Sequence, residues 1–426
     1  MKLSKRSIII ISILAVFVLF LAGILLAANS NKFSKYTEVA LYDLNARQQK
    51  SIAEQLVKIT NEKGKVIPIR VINLDSTKPL SSQAKKKFDL IITTMGQNTN
   101  DTIKLISEKK SKAISLPQTI LEGTTISVKQ SVVKNSNGNL KAVPILLDNY
   151  EIDIDRTILN QCGIKTISTW QDIEKFALAA QKYAKSPIVF AGGDSDTFLG
   201  IIGALTEAFS GKQAYDKVVE TIHKSIYENK DKDFVPTQQD YENIIKSLSE
   251  NEDSPLFNAL QVLIRWQRLG LLNSEIFNMK QNDVAAFMEA KLAPISFMTL
   301  SQHREVEHNI IERYSSIYFP SERTATSRYF TAPMIIAIPY SKSRNVATVI
   351  TNLISSNGQE QIGRSTGLAP VLASCRVADH QADDVRYWIA ATNAPIVPMG
   401  KAIFTDKKTE DDFAKALGSY IKYSNQ

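Results

Sequence analysis

At 426 residues, with 44% hydrophobic and 22% charged residues, the chain is long enough for two compact units and too apolar to be disordered. Its net charge of +8 includes Lys2, Lys5 and Arg6; the other bases are dispersed among acids, so no nucleic-acid partner is expected and the Lys85-Lys86-Lys87 run reads as a solvated turn. Two distant cysteines, Cys162 and Cys375, form neither a disulfide framework nor a metal spacing.

Lys2, Lys5 and Arg6 precede an apolar run from Ile8 to Ala28, interrupted only by Ser12. As a helix, residues 8–28 would extend ~31 Å, enough to cross the hydrocarbon core of a bilayer. Flanking positive charges stay in the cytoplasm, which places everything beyond Asn29 outside. Residues 1–30 therefore read as a signal or transmembrane anchor. Cleavage after Ala27 or Ala28 would put leucine at the −3 position, where a small residue is wanted, so a retained anchor is favoured over release to the periplasm. Leu21-Ala22-Gly23 is followed by Ile24 rather than cysteine, which excludes lipid attachment at that step.

Thr37–Asp43 reads as a strand, followed by a helix from about Asn45 to Lys63 with Ile52, Leu56 and Ile59 on one face and Gly64 as its stop. Val66–Leu74 and Phe88–Thr94 are further strands. Strands alternating with helices predict an α/β unit with a largely parallel sheet. Ligands of such sheets collect beyond the carboxyl ends of the strands, which singles out Tyr42, Asp43, Thr94, Met95 and Gly96. Asp43 suits a helix cap equally, and Met95 plain packing. Asn135–Asn139 is a turn cluster.

A second unit begins near Leu147. Ser168 and Thr169 cap a predicted helix carrying Ile173, Phe176, Ala177 and Ala180 at helical spacing, with Trp170 as a packing residue. Ser186–Asp194 leads into a helix over 197–209, and its Gly192, Gly193 and Asp194 let a backbone approach a ligand. The turn lacks the lysine and the spacing of a nucleotide loop. Leu256–Leu269 is helical, and Phe287–His303 gives a helix end, a strand and a turn.

Several motifs in order resemble the bacterial extracellular solute-binding proteins of family 1, which serve sugar-type ABC importers. Val143-Pro144 through Asp155-Arg156 resembles the strand that crosses between their lobes, and Gly163–Trp170 the short loop ending in Thr-Trp. Phe190–Gly193, Ala290–Met298, Ala337–Lys342, Ile350–Gln359 and Thr366–Pro370 continue the match. The resemblance implies a periplasmic-binding-protein-like α/β fold, two α/β lobes with a multi-strand hinge, preceded by the N-terminal hydrophobic helix. It implies a first lobe of 36–146 plus 330–373, a second of 147–329 plus 374–426, and crossings near 145, 330 and 374. It also implies a small solute, foremost a carbohydrate, held by hinge closure and passed to an ABC permease in the cytoplasmic membrane. Asn149 and Tyr150 on the crossing strand, His303 where the family often has tryptophan, Phe330 at the second crossing and Met399 in place of another aromatic join the candidate ligand-binding set. Asp153 and Asp155 stand where tyrosine and asparagine are commoner, which gives weight to a polar or cationic solute. Arg304 is a further candidate for an acidic one. The competing function is an envelope sensor or structural protein that keeps the fold without transport.

No catalytic signature is found. His303 and His308 are five apart, out of phase on a helix, so no metal site is expected from them, and no cofactor is implied.

Overall fold

The computed structural model describes residues 36–426 except 84–87, 109–112, 133, 135–136, 229–234, 323–328 and 425–426. The expected apolar helix over 8–28 and the Lys85–Lys87 turn lie outside the described residues, as does part of the Asn135–Asn139 turn. Among the described residues no helix is long and apolar enough to cross a membrane.

The described strands are β1 (Thr37–Tyr42), β2 (Ile69–Asn73), β3 (Leu90–Thr94), β4 (Val143–Leu147), β5 (Tyr150–Asp155), β6 (Ile188–Phe190), β7 (Ile295–Thr299), β8 (Tyr314–Ile317), β9 (Tyr329–Thr331), β10 (Met334–Pro339), β11 (Ala369–Pro370) and β12 (Ala394–Ile396). They build three sheets, ordered β11-β4-β10-β3-β1-β2, β6-β7-β5-β8 and β12-β9. Every residue of β3, β4 and β10 is buried, as expected of central strands covered on both faces. β1 pairs parallel with β2 and β3, while β10 runs antiparallel between β3 and β4.

Only Asp148 and Asn149 separate β4 in the first sheet from β5 in the second, and only Ala332 and Pro333 separate β9 from β10. From the sequence, crossings are expected near 145, 330 and 374. Beyond β11 the helix His380–Ala390 packs in the first core through Ala382, Val385 and Ile389. The reason is its apolar stripe at i, i+3 and i+7, which the first lobe covers.

Each lobe has its own core. The first gathers Val39, Ile92, Leu146 and Ile336 from its sheet with Ile52, Leu56, Val349 and Leu353 from helices. The second is larger and centres on the helix Ser195–Ser210, buried nearly all round by Lys212–Tyr227, Phe257–Arg268 and Lys407–Tyr423. The predicted cap at Thr169 forms a capping box with Asp172, and Trp170 buries its ring parallel to Phe297 while Nε1 donates to the Pro320 carbonyl at 2.6 Å. The helix predicted to run to Lys63 ends at Leu56. Thr60 instead bridges to Val66, and the Asn61 side chain accepts from the Lys63 and Lys65 amides to make a turn. Cys162 and Cys375 are free thiols.

Candidate solute-binding cleft

The two short crossings put Asp148 and Pro333 in the wall of a cavity of about 390 Å³ between the lobes. Asp43, Asn45, Gln48 and Thr94 line it from the first lobe; Tyr150, Asp196, Thr299 and Lys401 line it from the second. The carboxyl end of β1 supplies Asp43 in a left-handed conformation (φ 55°), which a short polar side chain tolerates. Thr94 at the end of β3 donates Oγ1 to the Asp43 carbonyl at 2.8 Å and holds that turn.

Lys401 is the electrostatic centre of the cleft. Its Nζ lies 2.8 Å from Asp43 Oδ1 across the gap and 2.8 Å from Asp196 Oδ1 on its own lobe. Burial opposes the Lys401 charge, but Asp196 and Asp43 outweigh it and hold the ammonium well above its ordinary pKa. Burial also opposes ionisation of Asp196, yet Lys401, with Lys407 beside it, draws that carboxyl below its ordinary range. Burial lifts Asp43 above its usual value against the pull of Lys401. Gly96 completes the contact: a Cβ there would stand 2.6 Å from the Lys401 carbonyl oxygen, so only glycine lets the lobes meet this closely.

The rest of the wall consists of hydrogen-bonding groups already held in place. Asp148 Oδ1 accepts from the Asn149 and Ser301 amides at 2.8 and 3.1 Å. Burial pushes its carboxyl up to about 6. Gln302 donates to Thr197 Oγ1 at 2.6 Å, and Tyr150 Oη donates to the Asp196 carbonyl at 3.0 Å. Carboxylates, amides and hydroxyls converging from two sides can bind a solute rich in hydroxyl groups.

The structure brings Asp43, Thr94, Tyr150 and Asp194 to this cavity. Asp194 is paired with Lys280 at 2.9 Å. Gly96 touches the partner lobe through Lys401. The other candidates lie elsewhere. Tyr42 is buried behind the cleft with Oη on the Lys78 carbonyl, and Met95 packs on the first core. Gly192 and Gly193 line a separate cavity on the outside of the second lobe, and the Gly193 N–H is taken by the Met279 carbonyl. Asn149 is 1% exposed within the crossing, and its carbonyl accepts from Leu300. Phe330 packs against Tyr318, and Met399 is fully buried with its Cβ against Gly203. His303 turns away from solvent into a buried cluster with Glu151 and Asp153. Arg304 is committed to Asp379 at 2.6 Å, Gln381 and the Gly367 carbonyl, so it offers nothing to an acidic solute. His308 is exposed and pairs with Glu312 at 2.9 Å.

Lys401, Asp148, Asp196 and Gln302 were not singled out by sequence. Asp148 adjoins Asn149, Asp196 lies two residues past Asp194, and Lys401 two past Met399. The segments were signalled; the side that each residue faces was not.

No protein-family model matches the sequence. No curated protein matches it either. Solved structures do match. The bacterial solute receptor AcbH, described as preferring β-D-galactopyranose, aligns at a TM-score of 0.67 with 14% identity over 91% of this chain and 94% of its own. Maltose-bound MalE3 of T. maritima aligns at 0.58 with 12% identity over 90% and 99%. A probable secreted solute-binding lipoprotein of Streptomyces coelicolor aligns at 0.57 with 11% identity over 91% and 98%. The chain has the two-lobed α/β fold of the extracellular solute-binding proteins.

Proposed function

We propose that the protein is the extracytoplasmic substrate-binding component of an ABC importer and captures a small carbohydrate between its lobes. The observation that carries this reading is the cavity of about 390 Å³ lined from both lobes by fixed carboxylate, amide and hydroxyl groups, in a fold shared with sugar receptors. A solute that touches both walls favours the closed form by its differential contacts, and a permease recognises that form. The first lobe is 36–146 with 330–373 and the helix His380–Ala390; the second is 147–329 with the chain from 391 onward. Residues 8–28 tether the lobes to the outer face of the cytoplasmic membrane and raise their effective concentration at the permease.

The test is thermal unfolding of the full chain in detergent against galactose, maltose, raffinose, chitin oligosaccharides, polyols, amino acids and polyamines. A sugar at 100 times its dissociation constant stabilises the chain by ~2.7 kcal/mol. A shift with polyamines or amino acids alone would replace carbohydrate as the solute class. No shift with any compound would favour the envelope sensor, a reading to which the Asp43–Lys401 contact already lends weight because it joins the lobes unaided.

A further inference from the structure

Strand β5 turns Tyr150, Ile152 and Ile154 to one face and Glu151, Asp153 and Asp155 to the other. All three carboxylates are at most 1% exposed. Asp153 stands opposite Ser296 on β7 and Ser316 on β8, so both hydroxyls share its face. The one-turn helix Leu300–His303, capped by Thr299, follows β7 directly and returns His303 to Glu151 and Asp153. His303 Nδ1 is 3.1 Å from Glu151 Oε1 and 3.1 Å from Asp153 Oδ1.

This cluster lacks a cation of sufficient charge. Two buried carboxylates face a single imidazole, which carries at most one positive charge. The neighbouring guanidiniums are engaged elsewhere, Arg304 with Asp379 at 2.6 Å and Arg313 beside Asp155 at 3.7 Å. Glu151 Oε2, Asp153 Oδ2 and Ser296 Oγ have no hydrogen-bond partner among the described residues, although all three side chains are fully buried. Orphaned acceptors beside unbalanced carboxylates are costly unless a cation joins them.

We propose that Glu151, Asp153 and His303 bind a first-row divalent metal ion of the zinc or manganese type, with Ser296 as an adjacent oxygen donor. One imidazole nitrogen with carboxylate oxygens is the donor set such ions prefer over Ca²⁺ or Mg²⁺. A 3.1 Å separation between donors is the edge of a coordination shell with bonds of ~2.1 Å. The ion takes the place of the Nδ1 proton, and its two charges balance the two carboxylates. His303 Nε2 lies 2.8 Å from the Gln381 amide, which Arg304 steadies at 2.8 Å. With Nδ1 on the metal, Nε2 carries the proton and needs an acceptor; the Gln381 amide supplies one only by turning its oxygen from Arg304 to His303. Gln381 belongs to the helix His380–Ala390 on the first core, whereas β5 lies in the second-lobe sheet and His303 on the short helix that follows its strand β7. The site therefore sits where an ion stiffens the joint between the lobes.

The full chain in detergent is stripped with chelator and dialysed against Zn²⁺, Mn²⁺, Ca²⁺ and Mg²⁺ separately, and bound metal is counted. One Zn²⁺ or Mn²⁺ per chain with a raised unfolding temperature is expected, with no uptake of Ca²⁺ or Mg²⁺. Glu151→Gln and His303→Asn should abolish the uptake, and His308→Ala, at an exposed histidine, should leave it intact. Should the buried-site variants fail to fold, Co²⁺ added to the wild-type chain still decides, since a nitrogen–carboxylate site gives visible d–d bands that stoichiometric Zn²⁺ erases. Failure of the wild type to take up Zn²⁺ or Mn²⁺, uptake that survives in folded Glu151→Gln and His303→Asn, or loss of uptake only with His308 would overturn the proposal.

Discussion

Asp148 shows what a buried carboxyl in the cleft wall does to the chain. It is 3% exposed, and its pKa is raised to about 6 by burial, against the lowering effect of the Ser301 and Asn149 contacts. A raised folded-state pKa means that the group's stabilising contribution is complete below the unfolded value near 4 and is lost as pH climbs through 6. Asp148→Asn keeps an acceptor for the two amides and removes the titration. It should flatten the stability profile between pH 4 and 7 and raise stability at pH 7 by at most about 3 kcal/mol, read from urea midpoints at each pH. An unchanged slope over that window would show that Asp148 ionises at no cost. Side-chain facing is also where the sequence was least legible. Asp43, Thr94 and Asp194 reach the cavity because strand ends and the turn before a helix have only one side open to the gap. Met399, Phe330 and His303 do not, because an apolar or aromatic type at a loop position fits a core as well as a cleft, and all three are at most 8% exposed. Nothing in the spacing of Glu151, Asp153 and His303 announces their meeting, which depends on a one-turn helix folding back over β5.

The strand β5 and the helix Ser195–Ser210 are fitted to each other through a single glycine. Gly200 faces Tyr150, whose ring stands where a side chain would otherwise be; a Cβ on Gly200 would lie 1.9 Å from Tyr150 Oη. The hydroxyl is held by the Asp196 carbonyl, so the ring has little room to withdraw. Alanine is a better helix former by about 1 kcal/mol, but overpacking of this kind costs about 1–3 kcal/mol. Gly200→Ala should therefore lower the urea midpoint despite improving helix propensity, and displace Tyr150 from the cavity wall. A variant at least as stable as the wild type would mean that the ring shifts freely. Elements were more legible than side chains because period and punctuation are local. The Thr169 cap, the buried helix after Asp194 and the crossing strand all follow from runs of neighbouring residues. The helix predicted to reach Lys63 ends early because Ile59 keeps the helical period while Thr60 bridges to Val66 and the Asn61 side chain closes a local turn on the Lys63 and Lys65 amides. The helix His380–Ala390 packs in the first core, and its stripe of Ala382, Val385 and Ile389 does not by itself identify which core will cover it.

At the scale of the whole molecule, the ion bridge through Lys401 joins the two lobes. Asp43 and Asp196 come from different lobes, each 2.8 Å from the same ammonium, and the first lobe also reaches over through Gln97, which donates to the Ala402 carbonyl at 2.7 Å. Under the proposed function, a solute would therefore close an interface that already has polar contacts of its own. Lys401→Met removes the shared cation and leaves the mostly buried Asp43 and the half-exposed Asp196 without their common partner. Breaking a fully buried pair costs on the order of 3 kcal/mol; here the cost is smaller, because Asp196 already meets solvent and the chain can separate the lobes and hydrate Asp43. The variant should show a lower unfolding temperature and a larger radius of gyration by solution X-ray scattering. A sugar that touches both walls should then restore compactness in proportion to its occupancy, because its differential contacts favour the closed form. Unchanged dimensions in Lys401→Met would show that the bridge only follows closure. Expansion reversed by solute would show that Lys401 holds the empty cleft and that a ligand takes over its role.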